Sequence, residues 1–334
     1  MPELRRDPIL GRWIIIATER RQRPSDFLVE PPPVTSGGFC PLCTGNEPTT
    51  PPEVWACRLG GNQAPNGPGW QVRVVPNKYP ALRIEGGLDK AGEGLYDRMN
   101  GVGAHEVIIE SPNHKDQFAY LPPDKIFYVL LAYRERILDL KRDPRFRYVM
   151  VFKNHGRAAG ASLEHSHSQL IALPVVPQMI TSEMEGAASY YHFRERCIYC
   201  DMITQEMQQN IRIVTQNNDF IVTSPYAPRT PFEMWVLPKE HDSGYSRQTD
   251  KSLGSLAAIL SETLRRLDAI IPGVPYNFVL HTNPLRSDSL DYYHWHLEIV
   301  PKLTSIAGFE WGTGFYINPM PPEEAARHMK EAKL

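Results

Sequence analysis

The stretch that decides the fold is HSHSQLIAL at residues 165–173, which has a counterpart, HWHLEIV, at residues 294–300. The same series precedes both stretches: a Cys-x-x-Cys pair, a strand ending in a histidine, an amphipathic helix and an asparagine. The histidines and asparagines recur at offsets of 127 to 129 residues, and such a constant offset indicates an internal duplication. We therefore predict duplicated halves at residues 1–180 and 181–334. Each half would be an antiparallel sheet with a helix packed on it, an α+β fold.

The spacing of apolar residues predicts the elements of each half. Leucine, isoleucine and valine recur at helical spacing over residues 124–140 and 250–270, with Asp124 as the expected N-cap of the first helix. Apolar runs predict strands over residues 105–110, 148–152, 165–173, 232–237, 276–280 and 293–300. Because side chains two apart on a strand share one face, we expect the two imidazoles of each His-x-His to project together.

Composition excludes several classes of protein. The 334 residues are 42% hydrophobic and 22% charged, with a net charge of −2, which is ordinary for a globular protein. Nucleic-acid-binding proteins usually need a basic surface, so we expect no nucleic-acid partner. Residues 1–23 lack the pattern of a signal peptide, and no apolar run is long enough to span a bilayer. We therefore expect no membrane association and a cytoplasmic location.

Four of the five cysteines form two Cys-x-x-Cys pairs, each of which can supply two thiolates to a tetrahedral zinc ion. The matching histidines complete two closed sites, and their predicted ligands are Cys40, Cys43, His114 and His165, and Cys197, Cys200, His241 and His294. The competing histidines are His105, His155, His192 and His281. A redox role for the cysteine pairs is the weaker interpretation, because histidines are at hand for both. Closed sites leave no position for water, so both zinc ions would be structural.

A double zinc-finger module is the rival from another class of protein. Such a module needs its cysteines and histidines close together within one small unit, and it needs a basic face. Here the ligands of the first predicted site extend from residue 40 to residue 165, and the net charge is negative. We therefore reject a nucleic-acid-reading function.

Several motifs resemble those of the galactose-1-phosphate uridylyltransferase branch of the histidine-triad superfamily. They are the His-x-His-x-Gln signature HSHSQ at residues 165–169, RRDPILGRWIIIA at residues 5–17, VPNKYPAL at residues 75–82 and NHGRAAGAS at residues 154–162. The resemblance covers nearly the whole chain and implies two histidine-triad-like halves. It also implies a homodimer whose substrates are a nucleotide sugar and a hexose-1-phosphate.

The reaction that the resemblance implies is a double displacement. His167 would attack the α-phosphorus of UDP-glucose and release glucose-1-phosphate, and galactose-1-phosphate would then attack the nucleotidyl-histidine. A neutral imidazole is a competent nucleophile near pH 7. Because the leaving and attacking oxygens are already anionic, the site must chiefly stabilise charge on the phosphoryl group. Gln169 and Ser162 are candidate donors to it, although both could instead cap a strand end or a turn.

Further residues would bind the substrates. Arg20 and Arg23 are candidate phosphate clamps, with a solvated charge run as the alternative. By the resemblance, Asn77 and Asn154 would hold ribose or phosphate. Glu310, in a tail segment that resembles the family's sugar-binding segment, would accept hydrogen bonds from hexose hydroxyls.

The second half has Glu298 where the first half has Gln169. A carboxylate there would repel a phosphate, so we expect the second half to be a scaffold and His167, not His296, to be the nucleophile. The sequence HSHSQ and the second Cys-x-x-Cys pair resemble the plant-type branch of the family, which includes ADP-glucose phosphorylase, more than the best-known bacterial enzymes. The alternative function is therefore an NDP-sugar phosphorylase, in which inorganic phosphate attacks the same covalent intermediate.

Overall fold

The computed structural model describes residues 1–20, 24–27, 38–60, 64–287 and 289–334. Its strands are β1 (Glu3–Arg6), β2 (Trp13–Ile16), β3 (Trp55–Arg58), β4 (Trp70–Pro76), β5 (Ala91–Glu93), β6 (Tyr96–Arg98), β7 (Ala104–Ile109), β8 (Tyr148–His155), β9 (His167–Leu173), β10 (Ile213–Gln216), β11 (Phe220–Thr223), β12 (Met234–Pro238), β13 (Tyr276–His281), β14 (His296–Pro301) and β15 (Tyr316–Asn318). Its α-helices are α1 (Pro123–Leu140), α2 (Gln178–Arg194), α3 (Ile198–Gln209), α4 (Asp250–Ile270), α5 (Gly308–Thr313) and α6 (Pro322–Glu331).

Ten strands form one continuous sheet in the order β10-β11-β12-β14-β13-β8-β9-β7-β4-β3. From the central pair outward, β8 is followed by β9, β7, β4 and β3, while β13 is followed by β14, β12, β11 and β10. All neighbouring strands pair antiparallel. The two halves thus repeat one strand order on either side of the β8–β13 pair, and the predicted duplicated α+β architecture is confirmed.

Helices α1 and α4 pack against each other on one face of this sheet. The apolar stripes of both helices are fully buried, including Val129 and Leu130 of α1 and Leu256 and Leu260 of α4. Strands of both halves contribute to the same hydrophobic core. The division at residues 180 and 181 therefore stays a prediction, because the halves share a sheet and a core.

The predicted boundaries differ from the structure in two instructive places. Pro122 occupies the N-cap position of the first helix, without a side-chain capping hydrogen bond. Asp124 lies inside the first turn, so the expected Asp124 N-cap was wrong. Strand β9 begins at His167 and β14 at His296, each two or more residues later than expected. His165 and His294 thus precede their strands. The helix over residues 250–270 was placed correctly, and it begins after Thr249, whose side chain accepts the Ser252 N–H.

The opposite face of the sheet is covered unequally in the two halves. Helices α2 and α3 follow β9 and contribute Ala187, Tyr199 and Ile203 to a second hydrophobic cluster, together with Trp235 of β12. A small sheet of β1, β2 and β15 and the hairpin of β5 and β6 complete the architecture. Among the described residues, none of the helices has the length and apolar character needed to cross a bilayer.

Candidate active site and metal clusters

A row of polar side chains lies on the sheet face opposite α1 and α4. Strand β8 pairs Phe152 with Gln169 of β9, and continuing this register by two residues places Asn154 opposite His167. Strand β13 in turn pairs Asn277 with Asn154. Because residues opposite each other in antiparallel strands share a face, His167, Gln169, Asn154 and Asn277 all project from the same side of the sheet.

His167 is held in a defined protonation state by its own backbone. Its Nδ1 lies 2.8 Å from the carbonyl oxygen of His165. A carbonyl can only accept, so Nδ1 carries the proton and Nε2 keeps a free lone pair. Burial lowers the pKa of His167, and the nearby Lys153 ammonium lowers it further, against the opposing effect of the hydrogen bond to the His165 carbonyl. The result is an uncharged imidazole with 7% exposure whose Nε2 can act as a nucleophile.

A buried ion pair supports the strand beneath His167. The Lys153 ammonium donates to Glu110 Oε2 at 2.5 Å, to the His167 carbonyl at 3.0 Å and to Ser166 Oγ at 3.2 Å. The other Glu110 oxygen accepts from Ser168 Oγ. The side chains of Lys153 and Glu110 are 2% and 0% exposed, so this network fixes the backbone on both sides of the candidate nucleophile.

Three predicted binding residues lie in connected positions around this row. Gln169 Oε1 lies 2.8 Å from His105 Nε2, and Asn77 Nδ2 lies 3.2 Å from the same nitrogen. Asn277 Nδ2 donates to Asn154 Oδ1 at 2.8 Å. His105 Nε2 therefore lies close to both Gln169 and Asn77, and Asn277 anchors Asn154 to the second half of the chain.

Of the remaining predicted site residues, Ser162 and Glu310 are described, and neither forms a hydrogen bond to His167. Ser162 is exposed in the loop before β9. The carboxylate of Glu310 accepts the Ala307 N–H at 2.9 Å and so caps its own helix, α5. Arg23 and the side chain of Arg20 lie outside the described residues. The binding roles of all four residues stay predictions.

Each predicted Cys₂His₂ set converges on a single point. The two groups are Cys40, Cys43, His114 and His165, and Cys197, Cys200, His241 and His294, and the ligand atoms of each lie within 4.8 Å of one another. In both groups, cysteine sulfurs lie 3.4 to 3.7 Å from histidine Nδ1 atoms. A tetrahedral ion with bonds of about 2.3 Å to sulfur and about 2.0 Å to nitrogen requires a separation of about 3.6 Å. Both groups could therefore hold a metal ion.

The backbone also sets the ligand atom of these histidines. His165 Nε2 lies 2.7 Å from the Ser111 carbonyl, and His294 Nε2 lies 2.9 Å from the Pro238 carbonyl. Since the carbonyls accept, Nε2 carries the proton in both rings and Nδ1 offers its lone pair to the cluster. Such outer hydrogen bonds are typical of metal-binding histidines.

The four competing histidines lie elsewhere. His105 contacts Gln169, and His155 stacks on Tyr276 with ring centroids 4.8 Å apart. His192 lies in the last turn of α2. His281 belongs to a third group, described next.

The third group is the second-half counterpart of the His167 site, and it is closed. Its members are Glu183, His281, His296 and Glu298. His296 is 1% exposed and lies between the rings of Trp235 and His281, at 5.1 and 4.7 Å. Glu183, on helix α2, accepts from His281 Nδ1 at 3.0 Å. Helix α2, which follows the first half, therefore covers the second-half sheet face around His296.

Charge inside this third group is balanced by protein side chains. Arg229 forms ion pairs with both Glu298 and Glu233. Burial alone would raise the pKa of Glu298, but Arg229 and His281 outweigh it and hold the pKa below its usual value. The four ligand-type side chains could hold a metal, yet Arg229 already supplies a positive charge to Glu298.

Sequence reasoning missed the Lys153–Glu110 pair and the part played by Glu183. Lys153 sits in the alternating strand sequence FKN, where a lysine usually faces solvent. Glu183 lies in a helix with little apolar periodicity. The burial of Lys153 could have been predicted from alternation along β8. Phe152 and Asn154 share one face of the strand, so Lys153 lies on the other face, towards the helices.

Comparison with known proteins identifies the family. The family model described as galactose-1-phosphate uridyl transferase, N-terminal domain, matches residues 1–177, more than half of the chain. The chain belongs to this family. A domain of unknown function, DUF4921, also matches residues 124–333.

Full-length relatives carry two different names within the galactose-1-phosphate uridylyltransferase family. The ADP-glucose phosphorylase of Arabidopsis thaliana is 37% identical, and the match covers 100% of this chain and 93% of the relative. The galactose-1-phosphate uridylyltransferase of Thermotoga maritima is 26% identical, with coverage of 100% and 99%. Both names denote nucleotidyltransferases, and the chain is accordingly a nucleotidyltransferase.

Solved structures of this family superpose along the whole chain. An Arabidopsis thaliana ADP-glucose phosphorylase with bound ADP-glucose has a TM-score of 0.84 and 35% identity, with both chains covered completely. A uridylyltransferase structure has a TM-score of 0.77 and 30% identity, covering 99% of this chain and 98% of that one. The predicted resemblance and fold class are thereby confirmed.

Proposed function

We propose that this protein transfers a nucleoside monophosphate from a nucleotide sugar to a phosphate acceptor through a covalent intermediate on His167. The observation that carries the proposal is the difference between two equivalent histidines. His167 is 7% exposed with Nε2 unprotonated, whereas His296 is 1% exposed and its Nε2 is buried between two rings without a hydrogen-bond partner. The rings packed on His296 leave its Nε2 no room for a phosphorus atom, so the nucleophile would be His167.

The chemistry follows from the donors around His167. Nε2 attacks the α-phosphorus, a bond to phosphorus forms, and the sugar phosphate departs with the electron pair of the broken P–O bond. Nδ1 keeps its proton throughout and donates it in a hydrogen bond to the His165 carbonyl. This hydrogen bond stabilises the positive charge that the ring acquires. Gln169 and Asn154 would donate amide hydrogens to the phosphoryl oxygens. The acceptor phosphate then reverses the step.

Zinc in the two Cys₂His₂ clusters would fix the backbone that precedes β9 and β14. The first cluster includes His165, whose carbonyl orients the His167 ring, so a metal there would fix the nucleophile indirectly. The second cluster would hold the loop before β14 in the same way. Both ions would be structural, because each has four protein ligands.

Two substrate pairs fit this chemistry. Uridylyl transfer to galactose-1-phosphate is the activity in the name of the 26% identical Thermotoga relative, and UDP-glucose would be the donor here. Phosphorolysis of ADP-glucose is favoured by the 37% identity of the Arabidopsis ADP-glucose phosphorylase over the full chain. We favour the second pair on this ground, and the acceptor in either case is an anionic phosphate oxygen.

The test is to trap the intermediate. Purified enzyme is incubated with ADP-glucose or UDP-glucose labelled in the α-phosphate, denatured in alkali, and mapped by mass spectrometry. We expect an acid-labile nucleotidyl group on His167, which inorganic phosphate or galactose-1-phosphate then removes. His167→Ala should form no labelled enzyme, and His296→Ala should still form it. Labelling at another residue, or no labelling with either nucleotide sugar, would reject the proposal.

A further inference from the structure

The orientation of the Gln169 amide follows from the hydrogen bonds around His105. The Ala81 backbone N–H donates to His105 Nδ1 at 3.1 Å. A backbone amide cannot reverse, so His105 Nδ1 carries no proton and the ring proton must be on Nε2. Nε2–H lies 2.8 Å from Gln169 and therefore needs an acceptor, which is Oε1. The Gln169 NH₂ group is then directed away from His105.

The neighbouring Asn77 does not alter this assignment. The Tyr79 N–H donates to Asn77 Oδ1 at 2.9 Å, so the NH₂ group of Asn77 is the one that lies 3.2 Å from His105 Nε2. The alternative tautomer would accept from Asn77 but would set Nδ1–H against the Ala81 N–H. The tautomer with Nε2–H keeps the hydrogen bonds to Ala81 and Gln169. It makes no hydrogen bond with the Asn77 NH₂ group, which is a donor too and is left available to a ligand.

Asn154 is oriented by the same logic from the second half of the chain. Asn277 Nδ2 lies 2.8 Å from the Ala159 carbonyl and 2.8 Å from Asn154. The carbonyl can only accept, so this atom of Asn277 is its NH₂ group, and the facing atom of Asn154 must be Oδ1. Within the described part of the chain, neither Asn154 Nδ2 nor Gln169 Nε2 donates to a protein acceptor.

We propose that His105 and Asn277 are positioning residues that lock the amides of Gln169 and Asn154 with their NH₂ groups towards the transferred phosphoryl group. The inference rests on the proposed nucleotidyl transfer and deepens it. An amide that was free to rotate would present its oxygen to the phosphate half of the time. A donor on the amide oxygen removes that orientation before substrate binds, which is preorganisation of the charge-stabilising groups.

The first test is a donor and acceptor series at position 105, read as the single-turnover rate of nucleotidyl-enzyme formation. His105→Gln keeps a donor and should stay within about threefold of the parent. His105→Leu should lose about tenfold, and His105→Glu, which accepts and so reverses the amide, about a hundredfold, as for loss of one preorganised donor. Substrate KM should change little. Equal losses in the Gln and Leu variants would indicate packing alone and overturn the proposal.

The second test is a double-mutant cycle. In a Gln169→Ala background, His105→Leu should cause no further loss, because its effect passes through Gln169. Asn277→Asp, which keeps shape but lacks the donor, should cause a smaller loss in an Asn154→Ala background than in the parent, because only its lost bond to the Ala159 carbonyl then remains. Additive losses would overturn the proposal. Metal content and the unfolding midpoint of each variant serve as controls for folding.

A third measurement does not depend on catalysis. In protein labelled with ¹⁵N-histidine, with His105→Gln used to assign the signal, His105 should show a protonated Nε2 and an unprotonated Nδ1. A proton on Nδ1 would overturn the inference even if nucleotidyl transfer is verified. Conversely, an enzyme that never forms nucleotidyl-histidine would reject the proposed function, while the tautomer would still report on the Gln169 orientation.

Discussion

Replacing Lys153 with methionine should destabilise the protein strongly, because it leaves the buried Glu110 carboxylate without its positively charged partner. Lys153 Nζ has three hydrogen bonds, to Glu110, Ser166 and the His167 carbonyl, and also lies 5.2 Å from the Phe118 ring. Methionine fills similar space but donates nothing. Burial disfavours the charged amine and lowers the pKa of Lys153, and the Glu110 carboxylate opposes that effect.

The magnitude follows from what remains around Glu110. Removing one partner of a buried ion pair costs about 3–5 kcal/mol. Two serine hydroxyls, on Ser166 and Ser168, still donate to the carboxylate, so we expect the lower end, about 3 kcal/mol in unfolding free energy. The double variant Lys153→Met with Glu110→Gln removes both charges. It should cost less than the sum of the single variants by about 2 kcal/mol or more.

Urea unfolding at fixed zinc concentration, followed by tryptophan fluorescence, measures all four members of this cycle. Arg142→Met is a matched control, since Arg142 is a largely exposed cation whose ion pair with Asp139 should contribute little. A Lys153→Met cost below about 1 kcal/mol, or additive single variants, would refute the description of Lys153 and Glu110 as an interdependent buried pair.

Two further predictions concern the metal clusters and the half-buried His155. Cys43→Ser and Cys200→Ser should each lower the zinc content from about two ions per chain by one, and chelation should lower the unfolding temperature; a protein whose metal-free form unfolds at the same temperature would contradict this. Burial, reinforced by Lys153, lowers the pKa of His155 from 6.5 to about 4. The folded state therefore gains about 3 kcal/mol above pH 6.5, which is lost as pH falls towards 4. His155→Phe should abolish that part of the acid dependence in pH-dependent unfolding, and an unchanged pH profile would contradict it.

The sequence predicted the features that are repeated and missed those that are not. The two Cys₂His₂ sets could be assigned because the same order of ligand types occurs twice at nearly constant spacing. Helices α1 and α4 could be placed because their apolar residues keep helical periodicity over four or more turns. The strand starts were too early because His165 and His294 are held by their clusters and by carbonyl contacts rather than by the sheet ladder.

The positioning contacts could not be predicted for a different physical reason. His105 and Gln169 are 64 residues apart, and Asn154 and Asn277 are 123 apart. Their pairing depends on strand register, and a slip of one residue would place each side chain on the opposite face. Sequence alternation gives the face of a residue but not its partner on the neighbouring strand.

The difference between the two halves lies in what covers the sheet, not in the histidines themselves. His167 and His296 both donate from Nδ1 to the carbonyl two residues earlier, at 2.8 and 3.1 Å, so both rings keep Nε2 unprotonated. The chain leaving β9 then forms α2, which carries Glu183 onto the second-half face, and α3 adds Tyr199 within 5.2 Å of the His296 ring. The helices that follow the sheet of the first half therefore cover the corresponding site of the second half. Since the rings and helices packed on His296 leave its Nε2 no room for a phosphorus atom, they would confine the proposed chemistry to His167.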